Sequence, residues 1–384
     1  MKLAILTPGF LPVPAVEGGA VEQLITNFIE ENEIYHYYDI DLFTIENIRL
    51  NNFNYKYTNI IQVSTRAVSV RAYYYIKFKI CRLFKNGLSK NYMDKKIAQL
   101  CDPHKYDKVL VENNMNIFNL IVKKNNTNNV YFHLHNDFGN NDPAKSWDKT
   151  KEVIKKAANI IVVSKFLANK LKKIGAKKVS VVYNTIDFQN YHRLSVNKKN
   201  KLKNNYGLSS EDIVFTYIGR LEKEKGFDRV IEAFNYFAKT KSNPKIKCLI
   251  VGDNKRQKLA DNPYIYYTGY IKNKNISKIY SISDCVIIPT RVEEAFSIVA
   301  LESIAMGLPI IASRSGALPE ILKNTSNIII DNDDDFVLNL KKAVIKLSTD
   351  KNLRKEIGKS SLEKSKEYRT SFKDYYFKMV NTLK

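Results

Sequence analysis

A chain of 384 residues is longer than one ordinary core supports and suits two domains. Its 44% apolar content is that of a folded globular protein, and no run approaches the ~18–20 apolar residues that span a bilayer. A formal charge of +23 favours an anionic partner (nucleic acid, anionic lipid or a phosphorylated substrate) without choosing among them.

The chain opens on Lys2–Leu6, an apolar run that meets Pro8 and Gly9 at once. It lacks the longer apolar region and small-residue cleavage site of a signal peptide, so it reads as a first buried strand of a cytoplasmic protein. Further β-branched runs lie at Ile40–Phe43, Lys108–Val111, Val130–Leu134, Asn159–Val163 and Val179–Val182. Asn190–Gly207 is polar, rich in lysine and asparagine, and reads as an interdomain linker leading into a short helix. A second set of strands follows at Ile213–Ile218, Lys247–Val251, Ile265–Thr268, Cys285–Ile288, Ile310–Ala312 and Ile328–Ile330. Helical patterns such as Gly19–Glu31, Lys225–Thr240, Ile276–Ser281 and Phe296–Met306 separate the strands.

That alternation is the sequence form of parallel α/β layers. Because the rhythm breaks in the middle, two sets of about six strands predict two doubly wound sheets instead of one barrel. The expected division is a Rossmann-like domain over 1–190 and a second over 205–362. The tail from Asp350 is a charged helical pattern whose late aromatics (Tyr368, Phe372, Tyr375, Tyr376, Phe377) need a surface. A helix over about 363–384 is expected to pack back on the first domain. The four cysteines show no CxxC spacing, and Cys248 and Cys285 sit inside apolar runs, so neither a zinc framework nor disulfides are predicted.

Five stretches carry candidate chemistry. After the first strand, Gly18 and Gly19 open a helix, where glycines let backbone N–H groups approach a phosphate. An ordinary glycine turn fits that spot equally, and the loop is not GxGxxG. In YIGRLEKEKGF a strand ends at Gly219, and Arg220 and Lys225 follow in the loop. Strand C-terminal ends are where such sheets bind ligands, and two cations suit a diphosphate; a solvated charge cluster is the alternative. In IIPTRVEEAFSIVALESIAMGLPIIAS, Glu294 precedes a helix and Glu302 lies two turns inside it among apolar residues. A carboxylate on that face needs a partner or ligand hydroxyl, and the helix start can hold a phosphate. In VYFHLHND, alternation puts His133 and His135 on one strand face, as in a metal pair. No third ligand is apparent, so no metal is predicted. From Arg66 to Lys96, nine basic residues and one acid interleave with aromatics. Such a segment can lie on an anionic membrane surface, or be a helix pair with its aromatics turned inward.

The second half resembles the family 4 retaining glycosyltransferases of the GT-B fold, in which two Rossmann-like domains face across a cleft. The likeness rests on the glutamate pair with seven residues between, on IASRSGALPEIL, on VVYNTIDFQNY and on the GRLEKEKG loop, all in the family's order. It is strongest from Val179 to Leu322. Ala295 and Ser297 stand where the family usually has glycine. The resemblance implies that Glu294 meets the donor sugar and its developing positive charge, and that Glu302 binds the ribose hydroxyls. Arg220 and Lys225, beside the strand end at Gly219, would hold the diphosphate with backbone N–H groups of Ser297, Ile298 and Val299, next to Phe296. Gly19, with Gly18, would approach the phosphates from the other half. The base would rest near Tyr270 and Ile271, and His135 would reach the donor sugar while His133 is structural. It further implies a nucleoside diphosphate sugar as co-substrate, a uridine one by default, and no cofactor or metal. The acceptor would be a glycan or lipid-linked glycan in cell-surface polysaccharide, capsule or glycolipid synthesis, with the enzyme cytoplasmic or peripheral on the inner membrane face. The rival readings are a basic nucleic-acid-binding protein, for which no module is visible, and a non-catalytic sugar-nucleotide binder.

Overall fold

The computed structural model describes residues 1–64, 90–124, 128–138, 143–241, 243–253 and 262–384. Residues 65–89, which carry most of the basic aromatic segment, lie outside the described residues, as does Cys81. The chain divides into two compact units, one of Met1–Asn184 with Phe372–Lys384 and one of Thr185–Ser371.

The first unit holds a seven-stranded sheet in the order β3-β2-β1-β4-β5-β6-β7. Its strands are β1 Lys2–Leu6, β2 Asp39–Ile45, β3 Thr58–Val63, β4 Lys108–Glu112, β5 Val130–Leu134, β6 Ile160–Val162 and β7 Val179–Val181. Every pair is parallel, with Leu3 opposite Ile40 on one side and Lys108 on the other. Strands covered on both faces need apolar residues at successive positions, and Leu3, Ala4, Ile5 and Leu6 are fully buried. The strand β3 escapes the sequence reading for the converse reason. It lies at the sheet edge, reads TNIIQV and is largely half-buried, so its apolar signal is diluted.

The second unit holds six parallel strands in the order β10-β9-β8-β11-β12-β13. They are β8 Ile213–Ile218, β9 Ile246–Val251, β10 Ile265–Gly269, β11 Cys285–Ile288, β12 Ile310–Ser313 and β13 Ile328–Ile330. The helix Phe227–Lys239 buries Phe227, Val230, Ala233, Phe234 and Phe237, one stripe at helical spacing, against β8 and β9 residues Phe215, Tyr217 and Cys248. In both sheets the strand order switches sides between neighbouring strands β1 and β4, and β8 and β11. In open α/β sheets the C-terminal ends of those two strands frame the ligand crevice.

The C-terminal tail is two helices. Lys351–Tyr368 belongs to the second unit, and after Arg369–Ser371 the helix Phe372–Thr382 joins the first. There Tyr375, Tyr376, Met379 and Val380 enter the core beside Leu24, Phe28 and Tyr38. The Tyr376 hydroxyl accepts from the Tyr37 N–H at 3.3 Å and donates to Asn32 Oδ1 at 2.9 Å. Cys101, Cys248 and Cys285 are free and buried. Among the described residues, no helix is long and apolar enough to cross a membrane.

Candidate active site

In the second unit, two loops at the strand ends are stitched together by backbone. At the end of β8, Gly219 N–H donates to Val251 O at 3.0 Å, and Tyr217 Oη donates to Arg220 O at 2.6 Å. The Lys223–Lys225 turn follows and closes on Gly226, in the left-handed region at φ 71°. A Cβ on Gly226 would lie 1.9 Å from Pro289 O, so only glycine lets this loop reach the end of β11. From the β11 side, Arg291 N–H donates to Glu224 O at 2.9 Å, and the Arg291 guanidinium grips Asp228 through both terminal nitrogens at 2.5 and 2.9 Å. Buried Arg229 donates to Pro289 O at 3.1 Å and to Asn332 Oδ1 at 2.6 Å, with its guanidinium over the Phe336 ring.

On this frame sit Lys225 and Glu294. Lys225 Nζ lies 2.6 Å from Glu294 Oε1, with side chains 28% and 14% exposed. The Glu294 backbone is clamped from the far side. Ala317 N–H donates to its carbonyl at 2.8 Å, and a Cβ on Gly316 would fall 2.2–2.8 Å from Glu294 backbone atoms. Arg220 is different: its side chain is 65% exposed, and its ion pair among the described residues is with exposed Glu222, at 2.6 Å. Exposed pairs of that kind hold weakly, so Arg220 can turn toward a ligand.

The helix Ile298–Ala305 begins after Ser297, whose hydroxyl accepts from Ala300 N–H at 3.3 Å. The N–H groups of Ile298 and Val299 are first-turn donors with no place in the helix ladder. Phe296 is buried, edge-on to Tyr368 at 6.3 Å, so its ring serves packing. Glu302 is buried, and both its oxygens already have partners: Tyr191 Oη at 2.5 Å and Tyr280 Oη at 2.6 Å. Burial raises the Glu302 carboxyl above its ordinary range, and the two phenols oppose that shift. Tyr270, after β10, is exposed, and Ile271 is half-buried beside it.

The sequence motifs do not disclose these supports. Tyr191 and Tyr280 stand 111 and 22 residues from Glu302, and nothing in their local pattern pairs them with it. Gly226 and Gly316 sit inside quoted runs, yet a glycine's contacts are invisible until the chain folds.

In the first unit, Gly19 precedes the helix Ala20–Tyr35 with φ 97°, and a Cβ there would meet Glu22 Oε2 at 2.1 Å. The left-handed backbone and this carboxyl give Gly19 a local steric reason, and Gly18 is left-handed as well, at φ 87°. His133 and His135 do acquire a third polar partner, contrary to the sequence expectation. Glu112, the last residue of β4, pairs in register with His133 on β5. Its carboxylate lies 3.1 Å from His133 Nδ1 and 2.8 Å from His135 Nε2. Only the register of β4 on β5 brings together residues 21 and 23 apart. Burial, and then the adjacent His133, hold the His135 imidazole well below its usual value and therefore neutral. Burial alone would raise Glu112, but the two imidazoles outweigh it and keep the carboxyl ionised.

Two Rossmann-like units, each a parallel sheet of one order, define a GT-B fold. Comparison with solved structures agrees in fold: sucrose-phosphate synthase from Thermosynechococcus elongatus aligns over 99% of this chain and 98% of its own, with TM-score 0.73 and 14% identity. Anabaena Alr3699/HepE, solved in complex with UDP-glucose, aligns over 100% and 99% with TM-score 0.71 and 15% identity. Residues 198–364, nearly all of the second unit, match the family described as glycosyl transferases group 1. The lipopolysaccharide 1,2-N-acetylglucosaminetransferase of Salmonella typhimurium is 29% identical over 230 residues, covering 56% of each chain. Such matches span about half the length of the curated relatives.

Proposed function

We propose that the protein is a glycosyltransferase that moves a hexose-type sugar from a nucleoside diphosphate sugar to an acceptor hydroxyl, with retention at the anomeric carbon. The observation that carries this reading is the Lys225–Glu294 pair, a cation and a carboxylate 2.6 Å apart at the ends of the two central strands of the second unit. The group 1 match over that unit supports it. So does the UDP-glucose in a structural neighbour, which favours a uridine donor here.

The chemistry follows from charge. Breaking the bond between sugar and diphosphate leaves positive character on the anomeric carbon and negative charge on the leaving group. Arg220, Lys225 and the N–H groups of Ile298 and Val299 oppose the negative charge, and Glu294 the positive one. Lys225 and Glu294 pair before the donor arrives, and the Lys225 ammonium has two further N–H donors for the pyrophosphate. The acceptor's proton passes to the departing phosphate oxygen as its own oxygen bonds to the anomeric carbon on the same face. Each Glu302 oxygen keeps a lone pair beyond its tyrosine bond, enough to accept from a ribose hydroxyl. The Salmonella relative, a lipopolysaccharide 1,2-N-acetylglucosaminetransferase, favours an acceptor in surface-polysaccharide synthesis, a glycan or lipid-linked glycan.

Incubating the protein with a panel of uridine, guanosine and thymidine diphosphate sugars, and following release of the nucleoside diphosphate, tests the reading. Turnover of one donor that disappears in Glu294→Gln supports it. No turnover of any donor, or full turnover in the variant, contradicts it.

A further inference from the structure

The transfer reading leaves unused the buried cluster at the C-terminal edge of the first sheet. Glu112, His133 and His135 have side chains 4%, 1% and 2% exposed, and their donor atoms lie within 4.8 Å of one another. Two of the three sit on paired strands and the third directly follows one, so backbone hydrogen bonds fix their spacing. Among the described residues, the far ring nitrogens, His133 Nε2 and His135 Nδ1, are buried and have no hydrogen-bond partner, so none of those residues pins either tautomer. Close by, the Glu22 carboxyl is held up by burial and also by the charge of Glu112. Among the described residues, neither Glu112 nor Glu22 has a lysine or arginine within ion-pair distance. Two carboxyl groups therefore lie close together in the interior of a chain whose net charge is +23.

We propose that Glu112, His133 and His135 bind a divalent transition cation through a Glu112 carboxylate oxygen, His133 Nδ1 and His135 Nε2. Two imidazoles and one carboxylate select a zinc-class ion over calcium or magnesium, which prefer oxygen throughout. Ligands about 2.0–2.1 Å from one metal stand roughly 3 Å from each other. The two separations from the Glu112 carboxylate, 2.8 and 3.1 Å, are already close to that, and the two histidine nitrogens lie within 4.8 Å of each other. To ligate, each of the two histidine nitrogens must be free of its proton, which the far nitrogen of the same ring can carry. The added positive charge relieves the repulsion between Glu112 and Glu22. This inference does not depend on the glycosyl-transfer reading, and its test needs no activity.

The full-length protein, stripped with chelator, is equilibrated with zinc or cobalt(II), desalted, and assayed for metal by elemental analysis. The expected result is about one ion per chain, with X-ray absorption at the zinc edge showing scattering from two imidazoles. Glu112→Gln and His135→Gln, checked for folding by circular dichroism, should lose on the order of tenfold or more in affinity. His36→Gln and His104→Gln, at exposed histidines, should lose none. Should a variant fail to fold, the imidazole count in the wild type decides alone. Less than about a tenth of an equivalent in the wild type, a site with no imidazole, or full retention by folded Glu112→Gln overturns the proposal.

Discussion

The two units share a strand order, yet the residues at their strand ends differ in kind. At the ends of β8 and β11, Arg220, Lys225 and Glu294 are reachable from solvent and lean on one another or on exposed partners. At the ends of β4 and β5, Glu112, His133 and His135 are sealed from solvent and bonded among themselves. One topology therefore supplies a place, and the residues at the strand ends decide whether it is open and charged or closed and coordinated. The supports differ too. In the second unit, glycines with no room for a Cβ press one loop against the other; in the first, strand register sets the spacing and Asn113 Oδ1 accepts from His135 N–H at 3.0 Å.

Four experiments test this contrast. The largest effect is expected from Glu294→Gln, which should lower donor turnover on the order of 10²–10³-fold with circular dichroism unchanged, measured as nucleotide release. Gly316→Ala comes next. Its new Cβ meets the Glu294 backbone in a left-handed conformation (φ 57°), so it should lose roughly 1–3 kcal/mol in denaturant titration and turnover with it. Gly175→Ala in the first unit is the control: φ is 96° there but nothing lies within 4 Å, so only the conformational cost applies. Equal losses in stability and turnover from both would remove the role given to close packing.

Tyr280→Phe should cost about 1–3 kcal/mol, because it strips a donor from a buried Glu302 oxygen. Its pH dependence has a definite sign. A folded-state pKa raised above the ordinary 4.5 means the folded protein holds its proton longer than the unfolded chain. Stability then falls as pH climbs from about 4.5 through the folded value, and Tyr280→Phe should steepen that fall. A flat profile in both proteins would place the Glu302 charge elsewhere. The smallest effect belongs to Glu222→Ala, within about 1 kcal/mol by thermal denaturation, since it breaks only an exposed pair.

Much of the architecture is legible in the chain because buried parallel strands need unbroken apolar runs, and KLAIL, IVFTYI and CVII supply them. The edge strand TNIIQV is not legible, since an edge does not demand such a run. Glu294 and Lys225 are visible as motif residues, but their ion pair links positions 69 apart. Glu112 had no motif of its own, and the tyrosines on Glu302 resemble any core aromatic until the fold turns their hydroxyls inward. The motifs announced charge at a strand end; what clamps that charge is long-range and emerges only in three dimensions.

On the proposed reading, the second unit holds a nucleoside diphosphate by Lys225 and Arg220. Calorimetric titration of UDP into the wild type, Lys225→Ala and Arg220→Ala tests it most directly. The account predicts saturable binding by the wild type, weakened on the order of tenfold or more in each variant, with both proteins still folded. Unchanged affinity in either variant, or no binding of any nucleoside diphosphate by the wild type, would contradict it.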